Sequence, residues 1–247
     1  MFIKKLLIGA ILLTVDFDRL GVGPGTAFID VGAGAGRHSF EAFRRGADVV
    51  AFDMDEPELK AVAEMFGAME LVGDAPADAT AKIQIGDVLE MPYANESFDV
   101  VVASEILEHV PADEQAIKEI VRITKKGGSV AVTVPRYWPE KVCWAISDEY
   151  HANEGGHIRI YRASELRKKL ESAGLVFTHQ HHAHALHAPY WWLKCAVGVH
   201  DEDNSLVKTY HKLLVWDLMK APAVTRVGES LLNPVLGKSV AMYFTKP

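Results

Sequence analysis

The chain has 247 residues, 49% hydrophobic and 24% charged, which suits one α/β domain with insertions and is short for two full domains. A net charge of -7 argues against nucleic acid as a partner, because that would call for a basic stripe. Two cysteines, Cys143 and Cys195, exclude a disulfide framework or a C-x-x-C centre and point to a reducing, cytoplasmic setting.

The N-terminus, "MFIKKLLIGAILLTV", places an apolar run over Leu6–Leu13, too short for a bilayer span of roughly 20 residues. A packed helix is the first reading, a leader the second and a weak membrane contact the third. Residues 1–25 form this segment and its lead-in, and one domain is expected from 26 to 247.

From Thr26 onward, strand-like and helix-like runs alternate. "TAFIDVG" reads as a buried strand, "RHSFEAFRRG" as a helix ending at Gly46, and "ADVVAFDMD" as a second strand. "EPELKAVAEMFGAMELVG" is a helix with Pro57 in its first turn. "AKIQIGDV" and "SFDVVVAS" are the third and fourth strands. "DEQAIKEIVRITKKGG" reads as a helix closed by Lys125, Lys126 and glycines, and "SVAVTVP" as the fifth strand. This alternation predicts right-handed βαβ crossovers and a parallel, doubly wound, Rossmann-like sheet.

The second half differs. "RASELRKKLESAG" is a helix with Ser164 as its expected cap. "LVFTHQHHAHA" and "SVAMYFTKP" read as the sixth and seventh strands. The stretch between them, about 186–239, is too long for a hairpin loop and predicts an inserted helical cap. Within it Leu206, Tyr210, Leu213, Leu214 and Leu218 share a helical face.

Ligands of a parallel α/β sheet bind beyond the carboxyl ends of its strands. There the first strand ends in "DVGAGAG". Gly32, Gly34 and Gly36 permit a tight turn and a close backbone approach. A dinucleotide fingerprint would need a small residue where Arg37 stands, and Asp30 at this rim would repel a pyrophosphate. An ammonium or sulfonium would be welcomed instead, which favours S-adenosylmethionine. Asp53 stands where a carboxylate can accept both ribose hydroxyls, a placing that also suits NAD. Asp87 is placed for the adenine amino group, with Val88 or Met54 against the ring. Ser104 and Glu105, at the end of the fourth strand, would lie under the reacting methyl.

Together "DVGAGAG", "FDMD", "GDV" and "SEILEHV", at four successive strand ends, resemble the class I S-adenosylmethionine-dependent methyltransferases, nearest to the ubiquinone-biosynthesis branch. The resemblance runs from about Thr26 to Pro135 and more loosely through "HIRIYRASELRKKLESAGL". It implies a seven-stranded sheet with the last strand antiparallel, and methyl transfer as the reaction. It assigns the cofactor to Asp30, Gly32, Gly34, Asp53, Asp87 and Val88. Methyl transfer to a phenol or hydroxyl needs a proton acceptor near neutral pKa, for which His109 or His157 is the candidate.

In "SEILEHV", read as helix, Glu105 and Glu108 fall on one side with His109 next to them. Relatives with a similar E-x-x-E-H can ligate a divalent metal. Here Glu105, Glu108, His109 and His157 are the set that would do so, although capping or pairing at the rim is preferred and no metal is assigned. Seven of eleven histidines lie between His151 and His187, but no strand face gathers four ligands and no cysteine pair accompanies them, so a zinc site is not assigned there. Tyr137, Trp138 and Tyr161 either border the pocket or pack in the core, two readings of equal weight, and "ANEGG" could close over the pocket. "PYWW" is read as core packing, with an apolar acceptor pocket as the alternative.

The expected function is methylation of oxygen, or next of carbon, on a small or lipid-like acceptor, with peripheral membrane contact conceivable. The rivals are a nicotinamide oxidoreductase and a non-catalytic module that binds the same cofactor.

Overall fold

The computed structural model describes residues 13–152, 156–201 and 203–247. The apolar N-terminal run, apart from Leu13, and most of the "ANEGG" segment lie outside the described residues. Chain order is α1 (Phe17–Leu20), β1 (Ala27–Val31), α2 (Arg37–Arg44), β2 (Asp48–Asp53), α3 (Glu56–Val72), β3 (Ala81–Ile85) and β4 (Phe98–Ser104). It continues through α4 (Asp113–Ile123), β5 (Thr124–Pro135), α5 (Tyr137–Ile146), α6 (Asp148–Ala152), α7 (Ala163–Ser172) and β6 (Val176–Ala183). The last elements are α8 (His187–Val197), α9 (Ser205–Lys220), α10 (Ala223–Leu236) and β7 (Ser239–Thr245).

The seven strands form one sheet in the order β3-β2-β1-β4-β5-β7-β6. β1 pairs in parallel with β2 and β4, and β4 with β5, while β7 runs antiparallel to β5 and β6. The expected architecture, with a helical cap between the last two strands, is the observed one. Strand order reverses between β1 and β4, which opens a crevice at their carboxyl ends. Alternation along β1 sends Ile29 and Val31 into one core layer with Val101, Leu107 and Ile117. Phe28 enters the other layer with Phe43, Leu59 and Met69.

Local chemistry sets the helix ends. Asp55 caps α3 by accepting from the Glu58 N–H at 2.9 Å, and Gly73 closes it in the left-handed conformation. Three expected boundaries move. α4 ends at Ile123, and Lys125 and Lys126 belong to β5, because Thr124 turns extended and pairs with Phe98. Ser164 lies inside α7, which starts after Arg162 without a side-chain cap. "SEILEHV" forms turns rather than a helix, and α4 begins only after Pro111 and Ala112.

The inserted α8, α9 and α10 pack back unevenly. Trp192 donates to the Pro139 carbonyl at 3.0 Å and its ring lies 5.4 Å from that of Trp138, so "PYWW" packs α8 onto α5. Of the expected α9 face, Leu214 is buried, whereas Leu206 and Leu213 face outward.

Candidate functional site

The glycine turn after β1 folds over the end of β2. Gly32 and Ala33 both donate to the Phe52 carbonyl, at 2.8 and 3.1 Å. Gly32 takes φ +72°, and a Cβ there would come within 2.7 Å of Ile106. Gly36 serves packing instead: a Cβ would meet Phe40 at 2.8 Å and Val62 at 2.9 Å, and the residue does not line the cavity. It is the close helix contact, not the ligand contact, that needs this third glycine.

Beyond the turn lies a cavity of about 440 Å³. Of the residues singled out from sequence, Gly32, Gly34, Asp53, Met54, Asp87, Val88, Glu105 and His109 line it. Asp30, Gly36, Ser104, Glu108 and His157 do not. Sequence reasoning missed Phe52 and Ile106. Phe52 alternates with Asp53 at the end of β2, and its ring lies so close to Gly86 that a Cβ there would sit 2.7 Å away. Ile106 stands two residues after Ser104, where the backbone doubles back.

The Asp53 carboxylate is held in place by two backbone donors. Oδ2 accepts from Gly34 at 2.8 Å and Oδ1 from Asp55 at 3.0 Å. A carboxylate has about four lone-pair sites, so two stay available to a ligand hydroxyl. Asp87 is exposed, with Oδ1 accepting from Leu89 at 2.8 Å, and Val88 is buried beside it. One end of the cavity thus presents two acids above an apolar floor.

Asp30 corrects the expectation of an acid aimed at the rim. Its carboxylate is buried beneath α2, where Oδ2 accepts from the Ser39 N–H at 3.1 Å and the Ser39 hydroxyl at 2.8 Å. The pleat decides this, since Asp30 shares the β1 face of Phe28. Burial pushes the Asp30 carboxyl up to about 7, against smaller downward effects of Ser39 and Arg37. The folded state therefore holds a proton that the unfolded chain has released above about pH 4. The stability from this group is full at low pH and is lost as pH rises through 7. Asp30→Asn, which keeps an acceptor for Ser39, is expected to gain on the order of 3 kcal/mol over the parent between pH 5 and pH 8. Urea unfolding at both values checks this, and a pH-independent difference would refute it.

At the other end of the cavity a hydrogen-bond chain crosses the sheet edge. Arg37 Nη2 lies 3.2 Å from Ser104 Oγ, Ser104 Oγ 2.8 Å from Thr133 Oγ1, and Thr133 donates to Glu105 Oε1 at 2.9 Å. Because the single Thr133 proton goes to Glu105, Ser104 must donate to Thr133. Ser104 is thus a buried relay holding Glu105, which sits at φ +56°, a strained backbone for a side chain of this kind.

Glu108, His109 and His157 offer ligand atoms within 4.8 Å of one another, and Glu105 is not in this group. The four-residue set read from sequence is therefore three residues plus a neighbour committed to Thr133. Both Glu108 oxygens are buried without a hydrogen-bond partner, and burial, with Glu105 beside it, raises the carboxyl well above its ordinary value. His157 Nδ1 lies 2.5 Å from Glu140 Oε1, and the two imidazole rings are 5.0 Å apart. His109, which lines the cavity, is backed by His157, which does not. Tyr161 takes the core-packing alternative, buried against Asp113 and Arg159. Tyr137 stacks under Arg162, with the guanidinium 4.2 Å from the ring centroid, and neither Tyr137 nor Trp138 lines the cavity.

Residues 29–132 match the methyltransferase domain family. The chain is 33% identical over 171 residues to the ubiquinone biosynthesis O-methyltransferase of Hahella chejuensis, across 66% of this chain and 68% of that one. It is 30% identical over 112 residues, 45% of its length, to an uncharacterized protein of Mycobacterium tuberculosis, and it spans only 38% of that relative. Among solved structures, the [4+2]-cyclase SpnF has the same fold at a TM-score of 0.61, with 15% identity, covering 99% of this chain and 92% of that one.

Proposed function

Because this chain belongs to the class I S-adenosylmethionine-dependent methyltransferases, we propose that it moves a methyl group from S-adenosylmethionine to an oxygen of a small or lipid-like acceptor. Carbon is the second choice of acceptor atom. The observation that carries this reading is the 440 Å³ cavity, whose wall combines the glycine turn, two strand-end acids and His109.

Each side chain has a task there. Asp53 accepts the ribose hydroxyls with the lone pairs that Gly34 and Asp55 leave over. Asp87 accepts from the adenine amino group, and Val88 and Met54 cover the ring. Gly32 and Gly34 let the backbone approach the methionyl end. When bound, S-adenosylmethionine would supply an activated sulfonium methyl for displacement by the acceptor oxygen, with the carbon–sulfur electron pair left on sulfur. His109 takes the proton of the acceptor hydroxyl, and His157, anchored by Glu140, positions it. Arg37, standing where the dinucleotide fingerprint needs a small residue, weighs against a dinucleotide.

A divalent ion would fit Glu108, His109 and His157, since the orphaned Glu108 oxygens lack partners and Glu140 already orients His157, and with such an ion bound His109 would be a ligand in place of the proton acceptor. Such an ion would act as a Lewis acid toward the acceptor oxygen.

Two observations favour a lipid-like acceptor and peripheral membrane contact. The relative from Hahella chejuensis is named for ubiquinone biosynthesis. Along α10, Val224, Val227, Leu231 and Val235 recur at helical spacing and all face solvent. No described helix is long and apolar enough to cross a membrane.

Incubation with methyl-labelled S-adenosylmethionine and phenolic acceptors, each with and without an isoprenoid tail, tests this reading. Label should enter the phenol oxygen, with a lower KM for the tailed compounds. Cofactor binding without transfer to any acceptor would favour a binding module or, as the SpnF likeness allows, a different chemistry on the same fold.

A further inference from the structure

A second cluster lies further along the same carboxyl-end rim of the sheet, where the chain leaves β6 and enters the helical insertion. His184 and His187 offer nitrogen atoms, and Glu229 a carboxylate oxygen, all within 4.8 Å of one another. His184 and Glu229 are buried and His187 is partly so. Neither His187 Nδ1 nor Glu229 Oε1 has a hydrogen-bond partner. Buried polar atoms are rarely left in that state, so the cluster is short of one species that all three could bind.

Its surroundings hold the three side chains toward a common point. The Thr14 hydroxyl lies 2.9 Å from His184 Nε2 and fixes that ring. His184 itself takes φ +66°, so the turn that presents it is strained. Asn233, one turn after Glu229 on α10, accepts from the Ala185 N–H at 2.9 Å and ties the two pieces of chain together. Arg226 engages Asp217 and approaches Glu229 Oε2 at 3.4 Å, which leaves Oε1 as the free oxygen.

We propose that His184, His187 and Glu229 bind a divalent transition-metal ion, zinc by class, that pins the helical insertion to the end of β6. Two imidazoles and one carboxylate are a regular zinc donor set. Ligand atoms around a tetrahedral zinc stand about 3.3 Å apart, so the side chains close by up to about 1.5 Å onto the ion. A cavity of about 330 Å³ adjoins the cluster, with His184 and Glu229 in its wall beside His182 and Arg226, which gives the ion a way in. No two of the three ligands are neighbours along one strand face, which is why histidine spacing in β6 did not reveal the set. The site shares no residue with the lining of the cavity at the glycine turn or with the group Glu108, His109 and His157.

The test is zinc content and affinity of the full chain after chelation, followed by dialysis against Zn²⁺ and mass-spectrometric metal analysis. Because Glu108, His109 and His157 could take a second ion, His109→Ala is included to isolate the site. His187→Gln and Glu229→Gln should each remove about one equivalent of zinc from the parent, while His109→Ala keeps that equivalent. Zinc should raise the melting temperature of His109→Ala but not of His187→Gln or Glu229→Gln made in the His109→Ala background. Co²⁺ in place of zinc should give visible absorption in His109→Ala that both double variants lose. Parent protein that binds no zinc, with the cluster merely hydrated, would overturn the proposal. So would zinc lost from His109→Ala yet retained by Glu229→Gln.

Discussion

Asp53→Ala is expected to weaken binding of S-adenosylhomocysteine by about a hundredfold to ten-thousandfold, measured by calorimetry. Two charge-assisted hydrogen bonds to ribose hydroxyls are worth roughly 1.5–3 kcal/mol each. The carboxylate also holds the Gly34 and Asp55 backbone donors, so its loss loosens the turn against which the ligand sits. Asp53→Asn separates the two effects. The amide still accepts from Gly34 but has no charge, and an intermediate loss is expected. Asp53 is only partly buried, so both variants should fold, which their melting curves will show. Affinity within threefold of the parent for Asp53→Ala would remove this residue from the site.

His109→Ala is expected to lower kcat by about a hundredfold to a thousandfold, the usual worth of a positioned proton acceptor. The affinity for S-adenosylhomocysteine should change little, because the cofactor contacts proposed above fall to Asp53, Asp87, Val88, Met54 and the glycine turn and not to His109. The ascending limb of the pH–rate profile should vanish with the imidazole. His157→Ala should cost less, about tenfold, since His157 acts through His109 and leaves the cavity lining intact. Equal losses in both variants, with an unchanged pH profile, would assign the pair to holding the turn together.

The sheet was legible because the central parallel strands β1, β2, β4 and β5 are largely buried on both faces and carry near-continuous apolar runs, bounded by glycines and acids. The cavity end of β2 and β3 was legible for a related reason. Asp53, Asp87 and Val88 sit at strand termini, and a strand terminus is visible in a sequence. Asp30 was misread because position along a strand says which rim a residue is near but not which face it takes. The two-residue period, applied from Phe28, would have turned Asp30 under α2, where Ser39 waits.

"SEILEHV" was misread as helix because its carboxylates and histidine fall at helical spacing. The stop was nonetheless present in Pro111, directly before the residues that begin α4. What holds Glu105 could not be read at all. Thr133 reaches it through the pairing of Ser104 with Thr133 across β4 and β5, a contact between residues 29 apart in the chain. The same holds for His184, His187 and Glu229, which meet only once the inserted helices have returned to the sheet.

Calorimetric titration of the unmodified chain with S-adenosylmethionine, S-adenosylhomocysteine and NADH tests the central claim most directly. One equivalent of either adenosyl sulfur compound should bind, and NADH should give no heat. Saturable binding of NADH, with no heat from the other two, would contradict it.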